Sequence, residues 1–226
     1  RQRQMCIRDR NKVYLQELTS YNKVLNQRNK LLKDIGFQPG LTETLDVWDM
    51  QLVSYGKKII SLRRQFMEEL GEIIRQIHSN LTGKKEEIRL LYEPDVEEKV
   101  FEEKLQSARE KDLRFRVTSV GPHRDDFCVQ TNGIDIRKYG SQGQQRTAAL
   151  SLKMSEIYLV EKVTKDHPVL LLDDVLSELD SSRQNYLLQS IHNIQTVITC
   201  TGLDELIENN FSIDRVFRVT EGKIDF

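Results

Sequence analysis

The sequence predicts an α/β fold, with a helical arm followed by a head in which helices alternate with the strands of a partial parallel sheet. Three observations carry that prediction. Apolar residues recur at helical spacing from residue 11 to residue 83, and strand-like alternation begins near Leu113. The run Val169 to Leu172 is a continuous apolar strand of the kind buried on both faces of a parallel sheet. The expected division is 1–10 as a truncation scar or disordered stretch, 11–112 as the helical arm and 113–226 as the head.

In the arm, Val13, Leu18, Val24, Leu25, Leu31 and Leu32 mark a helix from Asn11 to Ile35 that Gly36 stops. A longer pattern through Leu52, Ile59, Phe66, Ile74 and Leu81 follows, with Asp46 as its expected N-cap. Gly56 and Gly71 each weaken this second helix by about 1 kcal/mol relative to Ala. The two helices are expected to pack antiparallel, and a charged third helix is expected from Val96 to Lys111. In the head, Phe115 and Val117, then Phe127 and Val129, then Ile134 and Ile136, read as half-buried strands. Asn132-Gly133 is a hairpin signal. Helices are expected at Gln142 to Lys162, Ser181 to Ile191 and Leu203 to Glu208, with a strand at Thr196 to Thr199 and a closing hairpin at Val216 to Val219.

Composition narrows the function classes. The charge of -1, from 34 Lys and Arg against 35 Asp and Glu, supplies no global field for nucleic acid, so DNA contact would need a local patch or a dimer groove. Charged residues at 31% point to a soluble chain. No run approaches the roughly eighteen apolar residues of a membrane helix. Cys6, Cys128 and Cys200 lack CxxC spacing, which suits neither a disulfide framework nor a zinc site and fits a reducing cytoplasm. Arg1, Arg3, Arg8 and Arg10 lack the aromatics or helical face of a DNA-binding arm.

Three constellations carry chemistry. His167-Pro168-Val169-Leu170-Leu171-Leu172-Asp173-Asp174 is an apolar strand that delivers two carboxylates at its C-terminal end, where ligands sit in open α/β sheets. Asp173 could orient Mg²⁺ and Asp174 could position a water; the same run also reads as a core strand ending in solvated or capping acids. Tyr139-Gly140-Ser141-Gln142-Gly143-Gln144-Gln145-Arg146-Thr147 opens an apolar helix with Ser141 as N-cap and Gly143 where a ligand could approach the backbone. Its amides suit a γ-phosphate, or it is a well-capped helix with a polar first turn. Val175-Leu176-Ser177-Glu178-Leu179-Asp180 follows, and Asp180 could cap the next helix.

In that order the three resemble the signature motif, Walker B motif and D-loop of ABC-type ATPases. With Gly121-Pro122-His123-Arg124-Asp125-Asp126 added, they look like the RecF family, over roughly Asn11 onward. The resemblance implies the C-terminal part of an ABC-type ATPase head carrying a helical arm. It implies a cytoplasmic protein of DNA replication, repair, recombination and the SOS response that binds DNA at single-strand gaps and dimerises with ATP. RecO and RecR would be partners in loading RecA. ATP and Mg²⁺ would be its cofactors. Ser141, Gln142, Gly143 and Gln144 would meet the γ-phosphate bound by the partner protomer, with Ser177 and Asp180 in the D-loop. Asp173 would serve Mg²⁺, and Asp174 would stand where most ABC proteins place a catalytic Glu, implying slow hydrolysis.

His123-Arg124-Asp125-Asp126 by itself reads as a turn held by Arg–carboxylate pairs rather than a metal site. Two departures from the family pattern stand out. The chain holds no GxxxxGK[ST] phosphate loop, since Thr82-Gly83-Lys84-Lys85 has His78 at the first Gly position and Lys85 at the hydroxyl position. The family's loop lies upstream of Asn11, so this chain alone is expected to be inactive as an ATPase and only marginally stable. Val197 to Gly202 carries no switch His, leaving Thr199 or Thr201 as the substitute. An SMC-like structural head would need longer heptads than the arm offers, and a transporter ATPase subunit would carry an LSGGQ string that is absent here.

Overall fold

The computed structural model describes residues 12–164, 168–191, 193–200 and 213–225. It is helix-rich and forms two compact units with the boundary between Asp166 and His167. The basic start, the expected helix at Leu203 to Glu208 and Thr201 lie outside the described residues. Among the described residues no helix is long and apolar enough to cross a membrane.

The first unit is built on two long helices, α1 (Lys12–Ile35) and α2 (Leu45–Leu81). They run antiparallel, because the side-chain pairs Arg63 with Tyr14, Lys58 with Glu17 and Arg28 with Asp49 step in opposite directions along the chain. Their shared face buries Tyr14, Leu18, Tyr21, Leu52, Ile59 and Ile60 in one core with Phe101 and Leu105. Helix α2 starts earlier than the Asp46 cap predicts. Thr44 precedes it without a side-chain cap bond, and Asp46 lies in its first turn, paired instead with Arg109. The Thr82–Lys85 stretch closes α2, with the Thr82 hydroxyl donating to the His78 carbonyl at 2.8 Å.

Strand β1 (Ile88–Glu93) comes next and was not expected from the sequence. It pairs antiparallel with β2 (Asp126–Thr131), which turns through Asn132 and Gly133, both at positive φ, into the two-residue β3 (Ile134–Asp135). Hydrogen bonds of this sheet therefore link the chain on either side of Leu113. The expected charged helix is broken in two, α3 (Phe101–Ser107) and α4 (Arg109–Phe115), at Ala108. The strand expected at Phe115 to Val117 is instead the end of α4, where Arg116 takes a left-handed φ of 56° as C-cap and leaves Phe115 and Val117 exposed. Ile136 likewise begins a short helix, α5 (Ile136–Tyr139), rather than continuing a strand, because Asp135 caps it by accepting from the Arg137 N–H at 2.9 Å. Helix α6 (Gln142–Thr164) then packs along α2.

Two polar networks fasten this unit. Arg28 is fully buried and donates to Asp49 and Asp112, both at 2.6 Å, and to Thr118 at 2.9 Å. Asp49 also accepts from Arg109 at 2.8 Å, and Asp112 accepts from the Ser119 N–H at 2.9 Å. The Gly121–Asp126 turn is held by Arg63, which donates to Asp125 at 2.6 Å and to the Pro122 carbonyl. Tyr92 and the Asp95 N–H also donate to Asp125. Asp126 points the other way, to Arg137 at 2.8 Å. His123 sits between the Tyr21 hydroxyl at 2.8 Å and the Thr118 carbonyl at 3.1 Å. With Nε2–H donating to Thr118, Nδ1 accepts from Tyr21; burial holds this imidazole below its ordinary pKa.

In the second unit, β4 (Leu170–Asp173) and β5 (Thr196–Thr199) form a parallel pair in register from Leu170 opposite Thr196 to Asp173 opposite Thr199. Helix α7 (Ser181–Ile191) lies between them in sequence and buries Leu187, Leu188 and Ile191. The strand expected to be buried on both faces is not: Leu172 is 7% exposed but Leu171 is 72% exposed, and Val197 beside it is also open. Nothing among the described residues covers that face. A terminal hairpin of β6 (Arg218–Thr220) and β7 (Lys223–Asp225) turns at Glu221 and Gly222.

Candidate functional site

The opening of α6 is exposed from Ser141 to Gly143. Ser141 and Gln144 form a reciprocal capping box: the Gln144 N–H donates to Ser141 Oγ at 3.2 Å, and Gln144 Oε1 accepts from the Ser141 N–H at 3.0 Å. Because Ser141 Oγ accepts, its hydroxyl proton remains available to an anion. The amides of Gln142 and Gly143, in the turn whose N–H groups have no intrahelical partner, face the same solvent. Gln145 braces the preceding loop by donating to the carbonyls of Ile136 at 3.0 Å and Gly140 at 3.2 Å. Gly140 is demanded by packing, since an added Cβ would lie 2.6 Å from the Ile136 carbonyl oxygen. Gly143 is not: its nearest neighbour would be Ser141 Oγ at 4.0 Å. The chain's own packing gives no reason for glycine there, and a bare backbone facing solvent admits a ligand at close range.

In the second unit, Asp173 ends β4 and Asp174 follows it in a left-handed conformation, φ 51°. Thr199, at the end of β5, clamps the two. Its hydroxyl donates to Asp173 Oδ1 at 2.5 Å and accepts from the Asp174 N–H at 3.1 Å, while its carbonyl accepts from the same N–H at 3.1 Å. Both acids are exposed. Ser177 Oγ donates to the Asp174 carbonyl at 2.8 Å, which folds the loop back on the acid pair. Asp180 caps α7, accepting from the Arg183 N–H at 3.0 Å. Gln184 ties the loop down through the carbonyls of Leu176 at 2.8 Å and Leu179 at 3.2 Å.

Among the described residues no three His, Cys, Asp or Glu side chains gather into a cation cage. The exposed Asp173 carboxylate is nevertheless a hard-oxygen donor of the kind that suits Mg²⁺, an ion that keeps most of its waters and is shared with phosphate oxygens. The first unit brings Ser141 and Gln144 together around Gln142 and Gly143, and the second brings Ser177 onto the Asp173–Asp174 pair, while Asp180 is engaged with Arg183 as the cap of α7. Sequence reasoning left Thr199 or Thr201 as the substitute switch residue, and of the two only Thr199 lies among the described residues. In this structure its hydroxyl is engaged on both sides by the acid pair. Glu86, which accepts from Gln144 Nε2 at 3.2 Å, was missed, and its place in a Lys-Lys-Glu-Glu run gave no signal.

No family model matches the chain. It is 58% identical over 214 residues to the DNA replication and repair protein RecF of Agathobacter rectalis, covering 95% of this chain and 59% of that protein. It is 60% identical to the corresponding protein of Lachnospira eligens, covering 94% of this chain and 59% of that one. Among solved structures, the recombination mediator protein RecF of the RecFOR pathway with ATP matches at TM-score 0.81 and 36% identity, over 97% of this chain and 60% of that one. An ATPrS form of the same mediator matches at TM-score 0.81 and 35% identity. Spanning about three fifths of the length of these relatives, with matching sequence and matching fold across nearly all of its own length, the chain belongs to the RecF family.

Proposed function

We propose that this chain contributes two complementary parts of composite ATP sites in a DNA replication and repair protein that dimerises when nucleotide binds. The observation that carries this reading is the exposed Ser141–Gln144 box, which spends a lone pair of the Ser141 hydroxyl on the cap and keeps its proton, with two backbone amides, for an anion. The γ-phosphate of a nucleotide held by a second protomer would meet Ser141, Gln142, Gly143 and Gln144. Asp173 would hold Mg²⁺ together with water and phosphate oxygens, and Asp174 would orient the attacking water, with Ser177 and Asp180 shaping the loop beside it. Split between protomers, such a site makes dimerisation the sensor of bound ATP.

DNA, RecO and RecR are the partners this reading names, and loading of RecA is its outcome. The similarity to a mediator solved with ATP supports the nucleotide. The test is to join a relative's phosphate-loop segment upstream of this chain and follow mass by light scattering. ATP is expected to produce a dimer, and Ser141→Ala to weaken it by about tenfold or more, the effect of removing a donor to a charged group. Dimerisation indifferent to ATP, or unchanged in Ser141→Ala, overturns the proposal.

A further inference from the structure

Glu86 belongs to none of the motifs above, yet its carboxylate closes a circuit of contacts around the opening of α6. Oε1 accepts from Gln144 Nε2 at 3.2 Å, and Oε2 lies 3.3 Å from His78 Nε2. His78 is fully buried near the end of α2, and its Nδ1 lies 2.9 Å from Ser151 Oγ. Ser151 donates to the Thr147 carbonyl at 2.8 Å, and Thr147 donates to the Gly143 carbonyl at 2.8 Å. The path Gln144, Glu86, His78, Ser151, Thr147, Gly143 thus leaves the turn by a side chain and returns to it by the backbone. Serine, histidine and a carboxylate in this order suggest a hydrolase triad. Ser151 is fully buried with its proton given to Thr147, so it offers no accessible nucleophile.

A glutamine side chain samples several rotamers unless something holds it. Glu86 is that hold, and its side chain is only 18% exposed, which shelters a charge-assisted bond from screening. With the Gln144 amide nitrogen fixed, its oxygen stays on the Ser141 N–H, and the Ser141 hydroxyl keeps its lone pair on the Gln144 N–H. We propose that Glu86 is a positioning residue for this anion-binding turn, tying the Gln144 side chain to buried His78 of the long helix. The placement of α2 and the readiness of the turn for phosphate are thereby linked. This inference rests on the nucleotide reading above.

The test uses the full-length protein containing this chain, titrated with ATP and followed by light scattering, with thermal unfolding measured in parallel. Glu86→Ala is expected to weaken ATP-dependent dimerisation by about tenfold, the usual loss for a bond to a charged group, while Tm falls by only a few degrees. Glu86→Gln, whose amide oxygen still accepts from Gln144, is expected to stay within about threefold of the parent. In a Gln144→Ala background, Glu86→Ala is expected to add nothing, since the bond it removes is already gone. Parental dimerisation by Glu86→Ala, or an undiminished effect in the Gln144→Ala background, overturns the role. Should Glu86→Ala fail to fold, Glu86→Asp withdraws the carboxylate by one methylene, and parental dimerisation in that variant overturns it equally. Ser141→Ala separates the two levels. Dimerisation lost there but kept in Glu86→Ala removes only the role of Glu86, whereas dimerisation kept in Ser141→Ala removes the nucleotide reading as well.

Discussion

Arg28→Met is expected to destabilise the first unit by about 3–5 kcal/mol, the cost of stripping one partner from a buried ionic network. Arg28 has no exposed surface, and Asp112, which it holds at 2.6 Å, has none either. Methionine fills much of the arginine's volume but leaves the Asp112 carboxylate with the Ser119 N–H and no positive charge. Asp49 fares better because Arg109 still donates to it at 2.8 Å. Adding Asp112→Leu is therefore expected to return part of the loss, since it removes the stranded charge. Urea unfolding of the three proteins measures this, and a loss below about 1 kcal/mol in Arg28→Met would mean that the charge finds water on relaxation.

Two glycines of α2 are expected to respond to alanine with opposite signs. An added Cβ at Gly56 would overlap the Phe101 ring at Cε1, and Phe101 is fully buried. Overpacking of that kind costs about 1–3 kcal/mol, which outweighs the helix propensity gained. At Gly71 nothing lies within 4 Å of the added atom, so Gly71→Ala keeps its propensity gain of up to about 1 kcal/mol. Thermal unfolding should show Tm lowered in the first variant and raised in the second. Sequence alone charges both glycines with the same cost, because only the packed structure puts a phenyl ring against one of them.

The same distinction runs through the fold. The two long helices, the Asn132-Gly133 turn, α7 and β5 were legible because periodicity, turn chemistry and capping are local properties. Strand β1 was not. Its six residues, Ile88 to Glu93, sit between the charged Lys84–Glu87 run and a second charged stretch, and only pairing with β2 makes them a strand. Phe115 and Val117 gave the opposite error, since their alternation mimics a strand while Arg116 between them caps a helix and both remain exposed. Of the candidate site, the capping serine and the acids at the strand end could be read from the order of residue types. Thr199 as clamp and Glu86 as anchor act across 26 and 58 residues of separation, a range at which no local pattern reports.

The left-handed backbone at Asp174 constrains which acid, and which replacement, that position tolerates. Aspartate and asparagine accept φ near 50° more readily than β-branched or bulky residues, because a short polar side chain can bond locally to its own main chain. A glutamate there would extend reach and give up that local bond, although Glu221 shows that this chain does hold a glutamate at the same φ in a turn. Asparagine is thus the replacement that cancels the negative charge while leaving the bend intact, so under the nucleotide reading proposed above a loss of ATP turnover in Asp174→Asn of the full-length protein would speak of chemistry and not of a displaced loop.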